Sequence, residues 1–171
     1  MEIRDHAVIR PPQSPLDPDH LPFGRTFSPN MFIMDWEEGR GWFDPRIVPY
    51  GPISLAPAAM VFHYGQEIFE GLKAFRHSDG GVHLFRPERN AARMNRSARR
   101  MSMPEVGVDL QLEAMLMLIA RDRDWVPPAP GSLYVRPTMI ASEEGLGAHA
   151  SKKYNYSITT GQPCHPDRCN D

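Results

Sequence analysis

The stretch QEIFEGLKAFRHSDGGVHLFRPERNAARM, residues 66–94, constrains the fold more than any other part of the chain. Alternation across residues 66–76 puts Ile68, Glu70, Leu72 and Ala74 on one face of a strand, with Phe69, Lys73 and Phe75 on the other. The following HSDGG holds Asp-Gly, a tight-turn signal, and VHLF (residues 82–85) reads as the return strand of a hairpin. A helix then opens at Pro87, where a missing N–H costs nothing because the first N–H groups of a helix have no partner within it. Ala91, Met94, Ala98 and Met101 recur at helical spacing and should face a core, with Arg89, Arg93, Arg96 and Arg100 opposite.

The rest of the chain extends this pattern without βαβ alternation. NMFIMDW (residues 30–36) reads as a strand, and the short extended pieces IVPY and ISL follow between prolines and glycines. Pro104 ends the first helix. A second is expected from about Asp109, as N-cap, to about Asp124, burying Leu112, Met115, Leu116 and Ile119. SLYVRPTMI (132–140) and YNYSIT (154–159) return to strand around the glycine-containing loop EEGLGAHASKK, and Pro137 points to an edge strand. Several strands, two helices and two strands make an α+β layered domain. No G-x-G-x-x-G follows a strand, which argues against a Rossmann fold. Residues 11–22 carry five prolines in twelve positions and read as an extended arm.

With 171 residues, 41% of them hydrophobic, the chain suits one domain with a real core. A formal net charge of -2 gives no support to nucleic-acid binding. The longest apolar run, AMLMLIA, is far below the roughly 20 residues that span a bilayer, and the N-terminus has no secretory pattern, so a cytoplasmic protein without membrane contact is expected. Cys164 and Cys169 form no disulfide framework. With His165 they make one compact group without the second pair that zinc prefers, and no metal is expected. His63, His77 and His83 carry no ligand pattern.

Three features could carry chemistry. The arginine stripe could hold phosphate, although such a run is most often a solvated face. Tyr134 and Arg136 share a strand face and together would make a carboxylate receptor, a planar guanidinium fork beside a phenol; the plain alternative is a pair decorating an exposed sheet. Lys73, beside Phe69 and Phe75, could act as a nucleophile, but a lysine there more often reaches water or pairs with a glutamate such as Glu67 or Glu70.

The strings FHYGQEIFEGLKAFR, HLFRPERNAARMNRSARRM, DWVP and LYVRPTMIASEEGLG, with NMFIMDW upstream, closely resemble the branched-chain amino acid aminotransferases, pyridoxal 5'-phosphate enzymes of fold type IV. The resemblance runs from about residue 22 to about residue 160. It implies a small N-terminal two-layer domain with a mixed, mainly antiparallel sheet and two helices. By resemblance Arg93 grips the cofactor phosphate. Tyr134 and Arg136 line the substrate pocket, where the arginine receives the side-chain carboxylate of glutamate or 2-oxoglutarate. Phe23 and Phe69 form aromatic walls suited to leucine, isoleucine and valine. Tyr64, Leu146 and Ala148 reach the partner subunit of a homodimer, although Ala148 replaces the commoner valine and Glu144 stands where proline is frequent. The activity implied is amino transfer from branched-chain amino acids to 2-oxoglutarate. A sister activity, D-amino acid transamination or aminodeoxychorismate cleavage, and a non-catalytic interaction module are the alternatives.

The resemblance also implies a gap. In the family the Schiff-base lysine and the acid beside the pyridine nitrogen lie in a second, larger domain. Lys73, Lys152 and Lys153, the only lysines of the chain, match no such position. After YNYSITTG a turn into an interdomain linker is expected, and the chain reads QPCHPDRCND instead. The expected organisation is therefore an arm over 1–22, a small aminotransferase domain over 23–160, and an aberrant tail over 161–171 from a frameshift, an early stop or an incomplete gene model. Such a chain would be inactive alone and marginal in stability.

Overall fold

The computed structural model describes residues 1–12 and 24–161. Phe23, most of the proline-rich arm and the tail with Cys164, His165 and Cys169 lie outside them. The strands are β1 (Arg4–Asp5), β2 (Phe27–Glu37), β3 (Gly41–Pro49), β4 (Glu67–Phe69), β5 (Leu72–Arg76), β6 (Val82–Leu84), β7 (Leu133–Ala141) and β8 (Lys153–Gly161). The helices are α1 (Met60–Tyr64), α2 (Pro87–Arg100) and α3 (Val108–Arg121), with a 3-10 turn at Arg123–Trp125. One eight-stranded sheet runs β1-β3-β2-β8-β7-β5-β6, and β4 also pairs with β7. Only the β1–β3 pair is parallel, so the mixed sheet of an α+β domain is present.

The helices cover one face of this sheet. Phe32 and Met34 of β2, Leu133, Val135 and Met139 of β7 and Ile158 of β8 meet Met94 and Ala98 of α2 and Ala114, Met115 and Leu118 of α3 in one buried cluster. Buried alanines at 91, 98 and 114 let the helix backbones approach closely. Helix α2 begins with Pro87, has Glu88 in its first turn and ends on Arg99 and Arg100, charges that suit the helix dipole.

Five expectations need correction. The strand over 66–76 is broken at Glu70 and Gly71 into β4 and β5, both paired with β7. Its alternation nevertheless survives the break: Ile68, Glu70, Leu72 and Ala74 are buried and Phe69, Lys73 and Phe75 are exposed. Pro137 marks no edge, because β7 has neighbours on both sides. Its carbonyl accepts from the Glu70 N–H (2.9 Å), so its missing N–H faces that same break in the ladder. Helix α3 is capped at Gly107, with Asp109 already in its first turn. Its buried face is Gln111, Ala114, Met115, Leu118 and Ile119, whereas Leu116 is 57% exposed. The polar Gln111 turns inward because its amide donates to the Val106 carbonyl (2.9 Å) and to Asn95 Oδ1 (3.2 Å). Met101 lies beyond the end of α2 and is exposed. Finally, ISL (53–55) is not strand, and IVPY belongs almost entirely to the longer β3.

Candidate functional site

The face of the sheet away from α2 and α3 gathers most of the chemistry. Register sets Tyr134 of β7 opposite Lys73 of β5 and Gly161 of β8, and Arg136 opposite Thr159. Tyr134 and Arg136 are two residues apart and share this face, as alternation requires. Arg136 Nη2 donates to the Tyr134 hydroxyl (2.8 Å), and its guanidinium lies 4.2 Å from the Phe69 ring centroid and 5.1 Å from that of Tyr134. The aromatic rings orient the planar guanidinium fork, leaving other N–H groups for an anion. Beside it opens a pocket of about 200 Å³ between Gly24 and Phe27 on one side and Tyr134 and Arg136 on the other, completed by Thr159, Thr160 and Gly161.

Gly71 makes this arrangement sterically feasible. A Cβ there would lie 2.1 Å from the Tyr134 hydroxyl oxygen, so the phenol occupies space that only glycine leaves. The break between β4 and β5 therefore serves the pocket as well as accommodating Pro137.

The second cluster sits where the same break meets α2. Arg93 donates from Nε to Glu70 Oε1 (2.6 Å) and from Nη2 to Glu70 Oε2 (2.7 Å), a two-pronged charge-assisted pair. Asn90, one turn earlier, donates to Glu70 Oε2 (3.1 Å) and to the Gly71 carbonyl (3.3 Å). Burial alone would raise the Glu70 pKa, but the bonds from Arg93, Asn90 and Gly71 together hold it below the usual carboxylate range. The hydrogen bond and charge of Glu70 raise the Arg93 pKa in turn. Glu70 is 5% exposed, whereas the Arg93 side chain is 58% exposed. Arg93 is thus fixed along one edge and open along the rest.

The third group lies where α1 meets the loop between β7 and β8. The C-cap Gly65 ends α1 in a left-handed turn (φ 57°), and the Tyr64 hydroxyl donates to the Leu146 carbonyl. Backbone bonds from Met60 N–H to the Glu143 carbonyl and from Gly145 N–H to the Ala58 carbonyl (both 2.9 Å) join the two loops. Leu146 is 69% exposed, and Ala148 is also exposed on the same loop.

The structure therefore brings Phe69, Tyr134 and Arg136 together, sets Arg93 on the neighbouring cluster and Tyr64, Leu146 and Ala148 on a separate rim, and leaves Phe23 outside the described residues. Sequence reasoning offered Glu70 as a partner for Lys73, but the two point to opposite faces and Glu70 pairs with Arg93. A carboxylate on the apolar face of an alternating strand is a signal that a cation must reach it from the covering helix. Lys152 and Lys153 pair with Glu38 and Glu37. Among the described residues no group of three or more His, Cys, Asp or Glu side chains could hold a metal.

No family model matches the chain. Over 143 residues it is 54% identical to branched-chain-amino-acid transaminase 1 of Bacillus subtilis strain 168, an alignment covering 83% of this chain and 40% of that protein. It is 48% identical over 138 residues to the branched-chain-amino-acid aminotransferase of Mycobacterium tuberculosis H37Rv, covering 80% and 38%. The fold is similar to that of the Thermoproteus uzoniensis branched-chain aminotransferase with norvaline (TM-score 0.58, 18% identity, 75% of this chain and 40% of that one). It is also similar to that of the Thermobaculum terrenum branched-chain amino acid aminotransferase in its PLP form (TM-score 0.59, 16% identity, 80% and 41%). Fold and sequence together define the smaller domain of a fold type IV aminotransferase. The chain belongs to the branched-chain amino acid aminotransferase family and spans about two-fifths of the length of these relatives.

Proposed function

We propose that this chain supplies the substrate- and phosphate-binding part of a pyridoxal-phosphate-dependent transaminase that moves an amino group from leucine, isoleucine or valine to 2-oxoglutarate. The observation that carries the reading is the Arg136–Tyr134 bond beside Phe69, a carboxylate fork inside an aromatic wall. An apolar side chain would pack against Phe27 and Phe69, and an acidic one would extend to Arg136, so one pocket serves both substrates. Arg93, pinned by Glu70 and half exposed, fits the cofactor phosphate. When bound there, the cofactor supplies the electron sink for amino transfer.

What this chain's own residues do is bind and orient. Arg136 and Tyr134 hold a carboxylate, Phe69 shields it from water, and Arg93 fixes the phosphate. The rim of Tyr64, Leu146 and Ala148 would complete the pocket of a second copy in a homodimer. The lysine that bonds the cofactor and moves the proton would come from the portion of the relatives that this chain does not span. We assign the expected small domain of 23–160, extended by Gly161 at the end of β8, to substrate binding, 1–22 to an arm whose Arg4–Asp5 joins the sheet, and 162–171 to an atypical tail, and place the protein in the cytoplasm.

Titration of the full chain with glutarate and with pyridoxal 5'-phosphate, followed by NMR, tests the assignment. Glutarate should shift Tyr134 and Arg136 signals, and pyridoxal phosphate those of Arg93. Arg136→Leu should weaken glutarate by roughly tenfold or more, since a hydrogen bond to a charged group is worth about 1.5–3 kcal/mol, while leaving pyridoxal phosphate binding unchanged. Equal loss of both ligands, or of neither, would contradict the assignment. Fusing the chain to the remaining three-fifths of a relative should yield leucine-dependent glutamate formation that requires Arg136.

A further inference from the structure

Asp122, which caps the C-terminal end of α3, belongs to none of the clusters described above, yet it bonds both to Thr160 of the pocket lining and to Asn30, the residue that holds the N-terminal arm. It is 1% exposed. Its Oδ1 accepts from Asn30 Nδ2 (2.6 Å), and its Oδ2 accepts from the Asn30 N–H (3.4 Å) and from Thr160 Oγ1 (3.5 Å). Asn30, fully buried on β2, uses the rest of its amide on the arm. Its Oδ1 accepts from the Val8 N–H (2.8 Å), and its Nδ2 also donates to the Val8 carbonyl (2.9 Å). One side chain thus stands in for a backbone partner of Val8 and is itself held by Asp122. Three residues on, Trp125 Nε1 donates to the Arg10 carbonyl (2.7 Å), and Arg121, just before Asp122, pairs with Asp5. Residues 5–10 of the arm are therefore fastened along the C-terminal end of α3.

The other end of the chain of bonds is the pocket. Thr160 lines it together with Arg136 and Tyr134, and β8 carries Thr160 and Gly161 between β7 and β2. On the opposite wall of the pocket, Gly24 precedes, and Phe27 begins, the strand that carries Asn30. Both walls thus answer to a single buried carboxylate. A solvated side chain could serve neither purpose, because water would compete for every bond. Burial raises the Asp122 pKa, and the bonds from Asn30 and Thr160 oppose that rise.

We propose that Asp122 is a positioning residue that couples docking of the N-terminal arm to carboxylate binding at Arg136. The coupling part of this proposal rests on the reading of the Arg136 pocket as a carboxylate site. When the pocket is filled, Thr160 and β8 are held in place, Asp122 is held by them, and the Asn30 clasp on Val8 tightens. By reciprocity a released arm weakens the pocket by the same factor.

The test uses the full chain with glutarate as probe, amide exchange at Val8 and the Trp125 indole N–H signal reporting the arm. In the wild type, glutarate should slow Val8 exchange at least about fivefold, the lower end of ordinary coupling between sites. Asp122→Asn should speed Val8 exchange without ligand and weaken glutarate by a similar factor. Thr160→Val keeps the volume and the Asn30 clasp but removes the hydroxyl, so Val8 should stay protected while glutarate no longer adds protection. That variant also decides the matter if Asp122→Asn fails to fold. Wild-type binding of glutarate with Val8 exchange unaffected, or a Thr160→Val protein whose Val8 still responds, would overturn the coupling. If the wild type binds no glutarate, the pocket assignment fails instead, and the arm-docking role of Asp122 is judged on ligand-free Val8 exchange in Asp122→Asn alone.

Discussion

The two faces of the sheet are made by the same strands, with neighbouring residues pointing opposite ways, and they have little else in common. On the inner face Phe32, Met34, Leu133, Val135, Met139 and Ile158 are completely buried under α2 and α3. On the outer face Phe27, Phe69 and Phe75 are 40%, 58% and 39% exposed, and Tyr134 and Arg136 stand beside an open pocket. The lesson is that exposure of an aromatic residue here reflects its parity along the strand, not its hydrophobicity. The inner face supplies the folding free energy, and the outer face carries the groups that meet other molecules. Glu70 and Gly71 are where the two regimes join, one pinning a helix arginine from the inner side and the other making room for a phenol on the outer side.

The widest separation between the faces should appear on truncating an aromatic on each. Phe32→Ala should cost about 3–5 kcal/mol, as large-to-small changes at fully buried aromatics do. Phe69→Ala should leave stability within about 0.5 kcal/mol of the parent, because an exposed ring contributes little to the core. Urea unfolding of the two variants measures both, and comparable losses would show that the outer face is also part of the folding core.

Where the faces meet, the effect should be smaller and should depend on pH. The Glu70 carboxyl is held below its ordinary value in the folded chain. The stabilisation this gives is therefore present above the unfolded value and is lost as pH falls through the lower folded value. Glu70→Gln should cost about 1–3 kcal/mol near neutrality, the usual consequence of breaking a hydrogen-bonded charged pair. It should also flatten the decline in stability on the acid side. A variant whose stability falls with acid as steeply as the parent's would mean that other carboxylates govern acid unfolding.

Much of this division was legible in the residues. The alternation across 66–76 separated Ile68, Leu72 and Ala74 from Phe69 and Lys73, and the structure shows the first set to be the buried one; the shared parity of Tyr134 and Arg136 put them on one face. Long-range polar pairings were not legible. The partnership of Glu70 with Arg93 joins residues 23 apart, and that of Asn30 with Asp122 joins residues 92 apart. Periodicity describes how one element presents its residues; it does not say which two elements meet. For the same reason an apolar stripe missed Gln111, whose burial depends on Asn95 and Val106 in the preceding segment. Pro137 misled because an absent N–H was read as a sheet edge, when the sheet accommodates it by interrupting the neighbouring strand.

The finest test of the inner face concerns a polar atom that it buries without a partner. Tyr156 of β8 is wholly buried, its ring packed edge-on against Phe32 and Trp42, and its hydroxyl has no hydrogen-bond partner among the described residues. Burial, reinforced by the charge of Glu70, pushes the phenol pKa upward, so the group stays neutral at any ordinary pH. A neutral but unpaired hydroxyl still forfeits its bonds to water on folding. Tyr156→Phe keeps both edge-on ring contacts and removes only that oxygen, so it should stabilise the chain by about 1 kcal/mol. If the substitution destabilises, the hydroxyl must be satisfied in solution by a bound water, and the inner face is then less dry than its packing implies. If it stabilises, the contrast holds at the level of a single atom: on this sheet the hydroxyl of Tyr134 has a partner on the outer face, and the unpaired hydroxyl of Tyr156 is a cost on the inner one.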